Sequence, residues 1–292
     1  MNTQLVQSDR ISENISKNTI VDASNRTSNA SKEVLRFAVV TWFIIATLGQ
    51  WIFAGYVMVF YGTATATGHI ERWNNVLPRG YIAGDVAGNV VVGMHLLLAA
   101  IIILGGPLQI IPYVRKHART FHRWNGRLYM TVAVIMSITG LVMVWTRGSV
   151  GGMTQHLSIS FNAVLILICA VLSLRFAMKR DFARHQVWAL RLFLVSNGVW
   201  FFRIGLMLWL FLFKKPVGFD PITFEGPFLT LLSLSQYCVP LAILELYLRA
   251  KTSSNTRLKL AVAALLFFIT ILMGIGIVAA TLGVWIPRMM KL

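Results

Sequence analysis

The 292-residue chain is 57% hydrophobic and only 13% charged, with a mean hydropathy of +0.69, too apolar and charge-poor for a soluble domain of this length. Its net charge of +17 comes from short Lys and Arg clusters between apolar runs, a pattern of membrane topology and not of a nucleic-acid-binding face. Both cysteines, Cys169 and Cys238, lie inside apolar runs, which excludes a disulfide framework and a CxxC metal motif.

Residues 1–34 are rich in Ser, Asn and Thr, lack an apolar core and read as a disordered cytoplasmic tail. No positive start followed by a short apolar stretch precedes residue 35, so the first spanning helix is expected to act as the insertion signal. Seven apolar runs follow, each near the roughly 20 residues that cross a hydrocarbon core of about 30 Å. They cover residues 37–61, 86–104, 124–145, 156–178, 187–213, 228–248 and 258–286. Pro107, in Gly105-Gly106-Pro107-Leu108-Gln109, is expected to end the second helix, and Pro240 to kink the sixth. The long fifth run has to tilt or project beyond the bilayer.

The expected fold is therefore all-α, a polytopic transmembrane helix bundle of about seven helices. It forms a single domain over 35–292, with a core bundle at about 86–213. Alternating short strands, the mark of a barrel, are absent from the sequence. Arg115, Lys116, Arg119, Arg123 and Arg127 follow the second run, and Arg175, Lys179, Arg180, Arg184 and Arg191 flank the fourth connection. Every second loop is basic, which puts the N-terminus inside and the C-terminus outside a cell inner membrane, with the lipid bilayer as surroundings. A retinal protein is disfavoured, because Lys259 and Lys291 lie at helix ends and not deep in a helix. Gly274-Ile275-Gly276 sits within an apolar run with no strand before it and reads as close helix packing, not a nucleotide loop.

The chemistry concentrates in two matching stretches. Phe121-His122-Arg123-Trp124-Asn125-Gly126-Arg127 and Phe182-Ala183-Arg184-His185-Gln186-Val187-Trp188 each place a His and a Trp among basic residues at the start of an apolar run. Four histidines, His95, His122, His156 and His185, fall on successive helices or their ends, one pair per membrane face. Two neutral imidazoles facing each other across a bundle can fill both axial positions of a haem iron. Small residues follow at helical spacing, Gly126 after His122 and Ala189 after His185. His122 and His185 match in depth. His95 lies about nine residues inside its helix, whereas His156 lies at a helix start, so one ligand plane reaches both with difficulty. Arg203, well inside the fifth run, needs a partner such as a haem propionate, a backbone carbonyl or Asp85.

Gly105-Gly106-Pro107-Leu108-Gln109, His122-Arg123 with Gly126-Arg127 and Tyr129, and His185 with Trp188, Arg191 and Arg203 resemble the bacterial multi-pass membrane family termed domain of unknown function 2306. The likeness covers about His95 to Arg203; the first and the last two helices match only in hydrophobicity. Gln186 and Ala189 stand where a basic residue and a methionine are usual. The family carries no settled activity. The resemblance implies an architecture and candidate positions at His95, Gln109, His122, Arg123, Arg127, His185, Arg191 and Arg203. In architecture alone, His on successive helices is similar to transmembrane di-haem b-type cytochromes.

Three functions follow. The first is haem-b binding with transmembrane electron transfer to a redox partner or quinone, using His122 and His185 as inner iron ligands and His95 and His156 as outer ones. The second is transport or membrane sensing along a polar path near His95 and Arg203. The third is a structural or assembly subunit.

Overall fold

The computed structural model describes residues 27–291. The tail expected over 1–34 lies outside the described residues as far as position 26, while residues 27–34 are helical and continue into the first span. Helix α1 is described over Thr27–Ala66. A short 3-10 turn, Ile70–Asn75, precedes α2 (Val86–Ile110), α3 (Pro112–His117), α4 (Arg119–Arg147), α5 (Gly152–Met178), α6 (Phe182–Ser196) and α7 (Gly198–Phe213). Then come α8 (Pro227–Thr252), α9 (Thr256–Ala280), a π-helical turn at Thr281–Trp285 and α10 (Ile286–Met290). No strand occurs among the described residues. Six helices are long and apolar enough to cross a membrane, and α6 with α7, bent by 50° at their break, makes up to seven where the pair counts as one broken span.

The described residues fall into two compact units. In one, residues up to Ile44 pack with Leu244–Ile271, where the Phe37 and Phe267 rings meet tilted at 5.9 Å and Ala38, Ala250 and Ala263 are buried. The other comprises Ile45–Ile243 with residues 272–291 and holds every histidine. Within it α2, α4, α5 and α6 pack as a ring: α2 on α4, α4 on α5, α5 on α6 and α6 back on α2. The core of that ring is apolar and closed by Ile102, Tyr129, Val132, Ala133, Cys169, Ala170, Leu192 and Val195, with Tyr237 of α8.

Two expected helix ends are corrected. Pro107 does not end α2, which runs on to Ile110 with Pro107 buried inside it. Membrane helices tolerate such a residue where neighbouring helices pack around it, and α4 ties α2 just before the proline, Asn125 Nδ2 donating to Gly105 O at 3.0 Å. Nor is the fifth run one long tilted helix. It breaks at Asn197 between α6 and α7. The last turn of α6 tightens, with Asn197 N–H donating to Leu194 O at 3.2 Å, and two side-chain amides serve the carbonyls left over. Asn197 Nδ2 donates to Phe193 O at 2.7 Å and Asn162 Nδ2, from α5, to Val195 O at 3.2 Å.

Gly276 behaves as its motif suggests. A Cβ there would stand 2.6 Å from Ile204 O, so the backbones of α9 and α7 touch, whereas a Cβ at Gly274 would meet nothing within 4 Å. Gly276→Ala is therefore expected to lower unfolding stability by about 1–3 kcal/mol, the usual range for overpacking. Gly274→Ala should be neutral or slightly stabilising through helix propensity. Reversible unfolding of both variants in mixed micelles checks the contrast.

A polar staple closes the end of the ring where α2 begins and α4 ends. Asp85 caps α2 by accepting from Gly88 N–H at 2.9 Å and pairs with Arg147, the last residue of α4. Arg147 also donates to Asn89 Oδ1 at 3.1 Å and to Arg79 O and Gly80 O at 3.2 Å. The Arg147 hydrogen bond, then the Gly88 N–H, hold the Asp85 carboxyl below its ordinary value. A carboxyl lowered on folding stabilises the fold above its unfolded pKa of about 4, and that contribution disappears as pH falls through the lower folded value. Asp85→Asn should thus lower the melting temperature at pH 7, and the gap to wild type should close below about pH 4. Melting curves of both proteins across pH 3–7 read this directly.

Candidate functional site

At the opposite end of the ring, where α4 and α6 begin, two short turns set the site. The α3–α4 break at Ala118 starts α4 so that His122 falls in its first turn. The α5–α6 turn is tight: Arg180 takes φ 59° and Asp181 caps α6, its carboxylate accepting from Arg184 N–H at 3.1 Å. This hairpin lays the first turn of α6 against the last turns of α5, and so brings His185 to the buried Ser173.

His185 Nδ1 lies 3.0 Å from Ser173 O and 3.2 Å from Ser173 Oγ. A carbonyl oxygen only accepts, so the contact assigns the ring proton to Nδ1 and leaves the Nε2 lone pair available. This is the tautomer and anchoring that a metal-bound imidazole takes from its outer partners. His122 sits in the corresponding first turn of α4, within electrostatic reach of both His185 and Arg115. Its Nδ1 is buried and has no hydrogen-bond partner among the described residues. Helices α4 and α6 each flank α5, so the two imidazoles approach from opposite members of the ring.

Around them stand the other sequence-marked positions. Gln109, at the end of α2, leans over α4, where a Cβ on Gly126 would lie 3.1 Å from its Oε1; its Nε2 is buried without a partner. Arg127 lies over Trp124 at 5.1 Å, Arg191 over Trp188 at 4.3 Å and Arg184 over Phe176 at 5.5 Å. Arg123 is exposed. Such arginines lay their stems on apolar surface and keep their charge at the rim. Two turns beyond His122, the buried Tyr129 hydroxyl faces Ser196 Oγ.

This end of the ring and the helices behind it carry the match to known proteins, since a family profile described as predicted membrane protein, DUF2306, covers residues 92–239. The chain belongs to that family. No curated protein and no solved structure matches it. The family segment takes in α4 to α7 whole, most of α2 and the first half of α8, and every position named above lies within it.

The remaining candidates are placed elsewhere in the same unit. His95 Nδ1 is 3.2 Å from Thr139 Oγ1, whose own hydrogen goes to Ile135 O at 2.8 Å. His156 Nε2 accepts from Ser149 N–H at 2.9 Å, which occupies that lone pair in closing the α4–α5 turn. Trp145 holds the same turn, donating from Nε1 to Ser160 Oγ at 3.1 Å. His95 is thus level with Thr139 and His156 with Ser149, roughly 15 Å apart along the ring at 1.5 Å per residue. The structure brings His122 towards His185 and does not bring His95 towards His156. Arg203 lies on α7 beyond the break, separated from His185 by roughly 16 Å of α6 alone. Asp85, one partner considered for it, is taken by Arg147.

Polar residues that sequence reading passed over complete the picture. Gln155, Ser158, Asn162 and Ser173 are all buried on one face of α5. Ser158 Oγ donates to Ser233 O at 2.7 Å and lies 3.3 Å from Tyr237 Oη. Their spacing of three, four and eleven was a legible signal, a polar stripe at helical period within an apolar run.

Proposed function

We propose that the chain is a haem-b-binding electron-transfer protein of the cell inner membrane, in which His122 and His185 would hold the iron of one haem. The observation that carries this reading is the Ser173 anchor on His185 Nδ1, which leaves the Nε2 lone pair of His185 available while His122 stands within electrostatic reach. The residues fit the group. Both imidazoles are half-buried in the first turns of their helices, His122 has an orphaned ring nitrogen, and Ala189, one turn beyond His185, carries little bulk. Bound between two imidazoles, haem iron supplies a one-electron couple.

The chain's own residues do the rest. Ser173 fixes the tautomer and ring orientation of His185. The apolar plug of Ile102, Val132, Ala133, Leu192 and Val195 keeps water from entering through the ring. Arg115 and the rim arginines supply positive charge where acidic substituents of a macrocycle would emerge. The Lys and Arg distribution supports an inside N-terminus, which puts this haem at the cytoplasmic face.

The test is a reduced-minus-oxidised absorption spectrum of the purified protein, expressed with haem supplied, with iron measured on the same sample. Sharp b-type bands at near-stoichiometric iron are expected. A colourless, iron-free protein would overturn the reading and leave the buried polar stripe of α5 as the ground for a transport function instead.

A further inference from the structure

Beyond the break, α7 meets α1 and the last turns of the chain in a cluster that the haem reading does not use. Arg203 lies over the Phe53 ring at 5.3 Å, and its Nε is buried without a hydrogen-bond partner among the described residues. Tyr61 is buried within electrostatic reach of both Arg203 and Arg288. Tyr56, 1% exposed, stacks between Phe60 at 5.6 Å and Trp285 at 6.1 Å, and its hydroxyl has no partner either. Trp285 closes the cluster against Phe53 at 5.2 Å.

Its charge is one-sided. Neither arginine makes an ion pair with a described residue. Asp85 holds Arg147, Glu71 holds His69 at 3.2 Å, and Asp220 accepts from Ile222 N–H at 2.6 Å. An arginine inside a membrane span without an anion is costly, and such residues mark functional sites. The chain also departs from regular helix here: the π-helical turn Thr281–Trp285 carries Trp285 into the cluster and Arg288 beyond it. Such insertions gather at functional sites.

We propose that Arg203 and Arg288, with the Tyr56 and Tyr61 hydroxyls, bind the oxyanion head group of a membrane amphiphile, a phosphate or carboxylate whose tail stays in the bilayer. Guanidinium groups are the preferred partners of both oxyanions, and phenol hydroxyls add neutral donors. The aromatic wall of Phe53, Phe60 and Trp285 suits the apolar chain next to the head group.

The test uses the full-length protein, stripped of lipid in neutral detergent and titrated with phosphatidylglycerol, oleate, phosphatidylcholine or inorganic phosphate. Retained adducts are counted by native mass spectrometry and stabilisation is read from melting temperature. Phosphatidylglycerol or oleate should bind at about one per chain, and Arg203→Gln or Arg288→Gln should each weaken it roughly tenfold, the scale of one charge-assisted hydrogen bond. Arg203→Lys should recover part of the loss, which separates charge from packing. Competition by inorganic phosphate would mark a free oxyanion as the source, and its failure to compete would mark a lipid. Equal binding of phosphatidylcholine, or unchanged binding by Gln variants with wild-type circular dichroism, would overturn the proposal. Because His122→Ala does not touch this cluster, its binding is read independently of haem content.

Discussion

Replacing either His122 or His185 by alanine is expected to lower the haem content of the purified protein at least roughly tenfold, because losing a ligand outweighs the 10–100-fold typical of outer-shell partners. His156→Ala should leave the spectrum intact. Its Nε2 is occupied by Ser149 N–H, so the substitution loosens the α4–α5 turn without touching the iron. Ser173→Ala removes the hydroxyl and keeps the carbonyl that takes the His185 proton, so haem should remain bound. The set has a built-in contrast. If His156→Ala bleached the protein as fully as His185→Ala, the ligands would be general and the inner pair would lose its distinction. If neither inner substitution changed the spectrum of a coloured protein, the assignment would fail outright.

Composition alone made the class legible, because a chain this apolar with its charge in short clusters has few structures open to it. Six of the seven runs correspond to single candidate spans and the fifth to the bent α6–α7 pair, and Tyr129, Val132, Ala133, Leu192 and Val195 lie in the ring core. Breaks were harder to read. Proline is a strong local signal, yet Pro107 sits inside α2 because tertiary packing overrides propensity there. The break at Asn197 has no proline; it depends on Asn162, 35 positions earlier, reaching across to a carbonyl. No local pattern carries that information. The same holds for the site. The matching stretches, each a His with a Trp two or three residues on, pointed to His122 and His185; the expected runs began at 124 and 187, and the helices start five residues earlier, at Arg119 and Phe182, which puts each His in a first turn. The anchor that distinguishes them, a main-chain carbonyl on Ser173, has no residue signature at all. His95 and His156 show the converse: alternation along the chain suggested a pair, and the levels of Thr139 and Ser149 separate them.

The α6–α7 break yields the other large effect. In a continuous helix Phe193 O and Val195 O would each accept from the N–H four residues on. Here that path is abandoned, and Asn197 Nδ2 and Asn162 Nδ2 stand in for the missing donors at 2.7 and 3.2 Å. Asn162→Leu keeps the volume and removes the donor, leaving a buried carbonyl where neither water nor lipid can serve it, so a loss of about 1–3 kcal/mol is expected. Typical interhelical hydrogen bonds in membranes average nearer 0.6 kcal/mol, because the unfolded helices find other partners. A carbonyl freed by a break lacks that alternative unless the break itself closes. This makes the double variant the informative one. Once Asn162→Leu has made the break costly, the chain can recover by straightening α6 into α7, and Asn197→Leu then removes little more. The two losses should therefore fall short of additivity by more than the roughly 0.3–0.5 kcal/mol seen for independent sites. Unfolding of the two single variants and the double variant in one detergent measures the shortfall. Strict additivity would show that the two asparagines serve separate needs and that the bend is fixed by packing alone, chiefly by Gly198 against Asn162 and Gln236.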